Sequence, residues 1–303
     1  MSKISIEEFA VLSHLNEEET AALKAILADT KIMEWARDIA EKSFVAVPQQ
    51  DPPAYPEGPE QAQAWFAAVY LSYEAAVAHY AKRGFPLSVL HDGMTDLPCW
   101  LRNEKRNKGV IGLGRGKTWQ ATIYRGNILR FGRLECNAER YFDGDDLRNP
   151  NGEVIVANGD PVINLHIPED GPMDMGSCGK SMKRMAEFFA EYRPDYQWKG
   201  FLCQSWLLDR QLRKMLPESA NIIKFQDLGI CYEMNIPTET VFRVCGTADP
   251  QKIENPTSLQ RKVAEFVKDG GIFYAEGLFI ERQKIEKVNY DLEKLIAQTR
   301  AAK

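Results

Sequence analysis

His166 is the residue of this chain best placed for proton transfer. It closes the apolar run Pro161-Val162-Ile163-Asn164-Leu165-His166-Ile167-Pro168, just before a turn-rich loop. An imidazole with an unperturbed pKa of about 6.5 can take a proton near neutral pH. The competing reading is a structural histidine bonded to a loop carbonyl. Cys203 and Ser205 sit two apart in Phe201-Leu202-Cys203-Gln204-Ser205-Trp206, so in a strand they share one face. A thiol within reach of His166 could act as a nucleophile, with Asp174 completing a triad. That chemistry would be a cysteine-dependent amidase or acyl hydrolase. The competing reading is a buried, inert cysteine beside a hydroxyl that satisfies backbone groups.

A second chemical feature is basic. Arg102, Lys105, Arg106, Lys108, Arg115 and Lys117 are crowded into one stretch with Glu104 as the sole acid. Such a stretch can hold a phosphate or an acidic substrate, or simply form a solvated helix end and loop. Aromatic residues are sparse there, which disfavours single-stranded nucleic acid. Two glycine patterns do not qualify as phosphate loops. Gly112-Leu113-Gly114-Arg115-Gly116-Lys117 lacks the last glycine of a dinucleotide fingerprint, and Gly179-Lys180-Ser181 has Asp174 where a phosphate loop needs glycine. Neither H-E-x-x-H nor G-x-S-x-G occurs.

Bulk properties narrow the field. The chain has 303 residues, 44% of them hydrophobic and 27% charged, which excludes disorder and collagen. The net charge of −5 speaks against a dedicated duplex-binding protein. The six cysteines form no C-x-x-C pair, so neither a zinc cluster nor a disulfide scaffold is expected. With no export signal, the thiols imply a reduced, cytoplasmic protein. Ala64–Ala81, the most apolar helical stretch, is interrupted by Tyr70, Ser72, Glu74 and His79 and is no membrane span.

The elements that must position these residues fall into two parts. Ser5 with Glu8 and Asn16 with Glu19 read as helix-starting capping boxes. A third helix covers about 30–44, and the prolines from Pro48 to Pro59 form an extended surface connection. A long helix follows over about 60–83, stopped by Gly84, and one or two more run over 86–106. The pattern then changes. Strands are expected at Thr118–Tyr124, at 128–136 after an Arg125-Gly126-Asn127 hairpin turn, and at 161–168. Val154–Ala157 is a further candidate strand. After a helix over 177–192, strands are expected at 201–206, 222–225 and 240–244, with a short helix at 209–216. Helices over 258–268 and 281–301 close the chain. This clustering implies an α+β protein with a mixed sheet rather than a doubly wound fold.

Four segments together resemble a known family: Gly132-Arg133-Leu134; Leu165-His166-Ile167-Pro168 with Gly171 and Asp174; Phe201-Leu202-Cys203-Gln204-Ser205-Trp206-Leu207-Leu208; and Leu216-Pro217 with Asn221-Ile222-Ile223-Lys224-Phe225-Gln226. The chain resembles bacterial acyltransferase-domain proteins, which join a helical N-acyltransferase N-terminal domain to a GNAT-like C-terminal domain. The likeness is concentrated over about 119–230. It implies a helical domain over 1–117 and a GNAT-like mixed-sheet domain with C-terminal helices over 118–303. It further implies an acyl-CoA-dependent N-acyltransferase, using acetyl-CoA or another acyl-CoA to modify a small-molecule or peptide amine, without nucleic acid or membrane partners. In that fold the acyl-CoA enters a gap between two parallel strands, and its pyrophosphate rests on amides at a helix N-terminus. Carried onto this sequence, catalysis falls to His166, Cys203 and Ser205, and coenzyme binding to Ile167, Gly171, Gly176, Ser177 and Ser181. The loop departs from the usual glycine-rich pattern, since Glu169, Asp170 and Asp174 bring negative charge where the pyrophosphate is expected. The alternative is therefore a degenerate, noncatalytic GNAT-like binding module.

Overall fold

A computed structural model describes residues 4–51, 54–149 and 151–301. The chain folds as two compact units. The first comprises residues 1–138, 167–171 and 190–192; the second comprises 139–166, 172–189 and 193–303.

The first unit is built from helices α1 (Ile6–Leu12), α2 (Glu17–Ala28), α3 (Thr30–Ile39), α4 (Pro59–Leu71), α5 (Tyr73–Lys82), α6 (Leu87–Met94), α7 (Leu97–Lys108) and α8 (Lys117–Tyr124). Both capping boxes form, with Ser5 and Asn16 as N-caps. The helix expected over 30–44 is α3 followed by a π-helical turn, Ala40–Val45. The long helix expected over 60–83 breaks at Ser72. The Ser72 hydroxyl bonds back to the Ala68 carbonyl, 2.7 Å away, which competes with the helical ladder. Gly84 adopts φ +68 and stops α5 as expected. The expected Pro-rich surface connection is irregular where it is described; Pro52 and Pro53 lie outside the described residues.

Thr118–Tyr124 is helical, not a strand. Gln120, Ala121, Ile123 and Tyr124 are its buried residues, and this spacing outweighs the β-propensity of the segment. Arg125-Gly126-Asn127 is accordingly a helix stop. Gly126 N–H bonds to the Ile123 carbonyl (2.8 Å), and Asn127 N–H reaches back to Thr122 (3.0 Å), as in a Schellman motif. The strand expected at 128–136 is a hairpin of β1 (Ile128–Phe131) and β2 (Leu134–Asn137), turned at Gly132 with φ +82.

The second unit opens with the small ribbon β3 (Leu147–Arg148) and β4 (Val154–Val156), then β5 (Ile163–His166) and α9 (Met175–Tyr192). Strand β6 (Gly200–Ser205), α10 (Leu212–Met215), α11 (Asn221–Gln226) and β7 (Ile230–Pro237) follow. The chain ends with α12 (Thr240–Cys245), α13 (Ser258–Lys268), β8 (Tyr274–Glu281), α14 (Arg282–Lys287) and α15 (Leu292–Ala301). The sheet of this unit runs β5-β6-β8-β7. β5 is parallel to β6, and the other pairs are antiparallel. The fold is therefore α+β with a mixed sheet.

The strands expected at 222–225 and 240–244 are helices α11 and α12. In α12, Val241, Val244 and Cys245 pack at helical spacing against a cluster holding Val263 and Phe273. Gly246, at φ +70, ends that helix. The true closing strands are β8 and β7, neither of which the sequence pattern reveals. The helix expected over 281–301 is interrupted at Asn289 and Tyr290, both with positive φ. Among the described residues no helix is long and apolar enough to cross a membrane.

Candidate functional site

Strand register builds the site in the second unit. The parallel β5–β6 ladder pairs Ile163 with Phe201, Asn164 with Leu202 and Leu165 with Cys203, and stops there. β6 continues, held by β8 through Gln204 opposite Gly277 and Ser205 opposite Glu276. The ladder with β5 therefore ends before His166, while β6 runs on through Gln204 and Ser205 beside β8 alone.

Residues paired across a ladder share a face, and faces alternate along each strand. Asn164, Leu202, Gln204, Gly277 and Tyr232 thus lie on one side, and His166 joins them two residues after Asn164. Gln204 Nε2 donates to the Tyr232 hydroxyl at 3.2 Å. Gly277 lies between them in the ladder, and a Cβ there would overlap Tyr232 Cζ. The glycine is what lets the phenol ring cross its strand. Tyr232 also meets Phe142 edge-on, with ring centroids 5.9 Å apart.

His166 is half-buried, and its Nε2 lies 3.3 Å from Asn164 Nδ2. With the amide so oriented Asn164 donates, which puts the ring's own proton on Nδ1. Burial, and secondarily the Arg140 guanidinium, push the His166 pKa down to about 4. The imidazole is therefore neutral throughout the physiological range and able to accept a proton.

The expected partners of His166 do not join it. Cys203 pairs with Leu165, so its side chain leaves the opposite face of the sheet. There it is 2% exposed. Burial raises its pKa to about 12, with Cys231 and Cys178 of α9 as electrostatic neighbours. The Ser205 hydroxyl accepts the Leu207 N–H at 3.2 Å and caps a 3-10 turn, Trp206–Leu208. Asp174 caps α9, its Oδ1 accepting the Ser177 N–H at 2.8 Å. A thiol–imidazole–carboxylate triad is not assembled.

The expected coenzyme residues divide as follows. Gly176 and Ser177 form the first turn of α9, and Gly176 is exposed. Ser181 is buried, and its hydroxyl bonds back to the Ser177 carbonyl at 3.0 Å. Ile167 and Gly171 belong to the first unit, where Gly171 O accepts from Arg133 Nη2 at 2.8 Å. Sequence reasoning misses Asn164, Gln204 and Arg140. Strand alternation, which puts Asn164 on the His166 face, is the signal that could have found it.

The first unit holds a separate polar cluster around Arg130, which is 6% exposed. Its Nε donates to Gly132 O at 2.9 Å, and its Nη groups face Asp170 and, at 3.9 Å, Asp96. Asp96 Oδ2 accepts from Trp100 Nε1 (2.6 Å) and Gln120 Nε2 (2.9 Å). Burial raises the Asp96 pKa to about 6 despite these bonds. Glu135, which accepts from Trp119 Nε1 at 3.0 Å, is pushed well above the usual carboxylate range by burial and by Asp96. Arg133 also lies 3.6 Å from Asp170, and Arg106 lies 3.9 Å from Glu169. Of the loop acids that weighed against a coenzyme site, Asp170 is thus matched by two arginines, Glu169 lies near a third, and Asp174 caps α9.

A helical region leading into a mixed sheet, with a parallel strand pair whose ladder ends at a neutral imidazole, fits a GNAT-like protein. Family comparison agrees: residues 128–279 match the GNAT-like C-terminal domain, and residues 5–126 match the N-acyltransferase N-terminal domain. The chain belongs to this two-domain acyltransferase family. No curated protein sequence matches it. Among solved structures it is similar to a mutant acyltransferase in complex with octanoyl-CoA, with TM-score 0.70, 20% identity, and coverage of 91% of this chain and 87% of that one. It is similar to an acyltransferase in complex with decanoyl-CoA, with TM-score 0.66, 20% identity and the same coverage. An acyltransferase in complex with CoA and 10C-teicoplanin matches with TM-score 0.54 and 21% identity, covering 92% of this chain and 99% of that one. At these identities the likeness speaks for the fold.

Proposed function

We propose that this protein is an acyl-CoA-dependent N-acyltransferase that modifies a small-molecule or peptide amine in the cytoplasm. The observation that carries the reading is the end of the β5–β6 ladder at His166, with β6 running on beside β8. The octanoyl- and decanoyl-CoA bound by structural neighbours favour a medium-chain donor, and the glycopeptide bound by another favours a bulky small-molecule acceptor.

In this mechanism the thioester lies beside His166, where β6 runs on past the end of β5, and the neutral amine attacks its carbonyl carbon. The N–C bond forms, the C–S bond breaks, and the amine proton passes to His166, directly or through one water. The CoA thiolate leaves and is protonated by solvent. Burial keeps His166 unprotonated and so open to an incoming proton, while making it a weaker base than a free imidazole. When Nε2 gains the proton, Asn164 turns its amide to present oxygen instead of N–H. The first-turn amides of α9 attract the pyrophosphate, although Asp174 already occupies that of Ser177. The cysteine-hydrolase alternative needs Cys203 and His166 on one face, which the strand register does not provide.

Calorimetry with acetyl-, octanoyl- and decanoyl-CoA tests the donor, and thiol release in the presence of amines tests transfer. Absence of binding to all three donors would overturn the proposal.

A further inference from the structure

Strand register brings Arg140 to the His166 face of the sheet. Tyr141 and Pro161 form an antiparallel bridge, and Val162 N–H donates to the Arg140 carbonyl at 2.9 Å, so Arg140 stands opposite Val162. Facing residues share a side of a sheet, and sides alternate along a strand. Arg140 therefore joins Val162, Asn164 and His166 on one face. The Tyr196 hydroxyl fixes this backbone. It accepts the Arg140 N–H at 2.9 Å and lies against the Arg140 and Val162 carbonyls. All of these residues belong to the second unit.

The anchored backbone carries an under-used side chain. Arg140 Nη2 meets Asp143 Oδ2 at 2.8 Å, and the Asp143 side chain is 61% exposed. Arg140 Nε is buried and has no hydrogen-bond partner. A half-exposed ion pair of this kind adds little stability, whereas a buried N–H left unpaired is costly. A carboxylate bound side-on to Nε and Nη2 would satisfy both donors at once. Burial dominates the pKa of His166 and of Tyr232; behind it, both feel the Arg140 charge, and Tyr232 also feels Asp143. The ion pair thus stands near the groups that surround the proposed base.

We propose that Arg140 determines acceptor specificity by binding a carboxylate on the acceptor, with Asp143 as the group displaced. This rests on the acyltransferase reading and names its substrate class: an amino acid, or a short peptide with a free carboxylate. The amino group faces His166 while the carboxylate takes the guanidinium edge. The four residues from Val162 to His166 span about 13 Å of strand, a length that an extended arginine side chain, a carboxylate and an amine fill together. The coenzyme's phosphates are a different matter. α9, whose first turn is proposed for the pyrophosphate, lies on the Cys203 side of the sheet, where its Cys178 neighbours that thiol. Arg140 lies on the other side, and Asp143 beside it repels a polyanion more than it repels a single carboxylate.

The test is titration calorimetry of the full chain with N-octanoylglycine and N-octanoylphenylalanine, the products such acceptors would give. The matching carboxamides, which lack the charge, are the comparison. Each acid should bind about tenfold tighter than its amide, the scale of a charge-assisted hydrogen bond. Arg140→Gln should bring acid and amide within about twofold of each other while octanoyl-CoA affinity stays within about twofold. Asp143→Asn should widen the preference roughly three- to tenfold by removing the competing carboxylate. Thermal melts should confirm that both variants are folded. Octanoyl-CoA binding without any preference for the acids would overturn this inference and leave the acyltransferase reading standing. A preference that Arg140→Gln removes, in a protein that binds no acyl-CoA, would keep the carboxylate site and overturn that reading. Absence of saturable binding by both acids, a preference that survives Arg140→Gln, or octanoyl-CoA affinity lost along with the preference would each overturn the assignment of Arg140 to the acceptor.

Discussion

The polar clusters of the two units are built on opposite electrostatic plans. Around Arg130 in the first unit, charge is buried and answered by charge: Asp96 and Asp170 face the guanidinium, and indole and amide N–H groups hold the carboxylates. Around His166 in the second unit, the neighbours along the sheet face are Asn164, Gln204 and Tyr232, which carry no charge, with Arg140 as the nearby cation. In both, burial selects the neutral form of a titratable group. In the first unit it raises carboxylates, and in the second it lowers an imidazole. The difference teaches what each cluster can do. An uncharged acceptor at a strand opening can take a proton, whereas a compensated ion network mainly fixes the loops and helices that carry it.

The sharpest way to break this comparison is to remove the proposed base. His166→Ala should lower the acyl-transfer rate by about 10²–10⁴-fold, the usual range for a general base, while octanoyl-CoA affinity stays within a few-fold. Rates and calorimetry together check this. An unchanged rate in a demonstrated transfer reaction would remove His166 from the chemistry.

The opposite pKa shifts predict opposite pH dependences of stability. Folded His166 titrates near 4 and the unfolded residue near 6.5. As pH falls through this window the unfolded chain takes up the proton first, and stability is lost. Folded Asp96 titrates near 6, above the ordinary aspartate value of about 3.9. As pH falls through that window the folded chain takes up the proton first, and stability is gained. The His166 contribution is on the order of 3 kcal/mol. Between pH 6.5 and 4 the melting temperature of Asp96→Asn should therefore fall more steeply than that of the unaltered protein, and that of His166→Gln less steeply. Parallel curves for the two variants would contradict the contrast drawn between the clusters.

Gly277 offers a smaller perturbation of the second cluster alone. The Cβ of Gly277→Ala would enter the Tyr232 ring, and the ring must swing off its strand. The phenol end can move, so the cost should be about 1–3 kcal/mol rather than loss of the fold. The measurement is a denaturant melt paired with Tyr232→Phe, which keeps the ring but removes the bond from Gln204. A Gly277→Ala protein as stable as the unaltered one would show that the ring is not confined.

These contrasts also show what was legible in the sequence. Features encoded within a few residues are readable: the Ser5 and Asn16 capping boxes and the Gly84 stop. Features settled by distant partners were not. Thr118–Tyr124 and Thr240–Val244 carry β-formers, yet burial at helical spacing decides their state. β8 is an inner strand of its sheet, but Gly277 interrupts its propensity and only pairing with β6 and β7 defines it. The site divides in the same way. His166 stands out by residue type and position. The face occupied by Cys203 depends on which residue of β5 it opposes, and a shift of one residue reverses the answer.

Cys203 therefore supplies the smallest expected effect. It sits opposite Leu165, 2% exposed, with its thiol pKa raised to about 12. A thiol this far above neutral pH forms almost no thiolate, and the thiolate is the reactive species. Iodoacetamide should leave Cys203 unmodified in the folded protein while the exposed Cys231 reacts, as read by peptide mass spectrometry. Cys203→Ala should keep the acyl-transfer rate within about twofold and cost about 1 kcal/mol of stability, since a small buried side chain is shortened. A large loss of rate without a loss of stability would return the thiol to the reaction, and with it the single-face arrangement that the β5–β6 register denies.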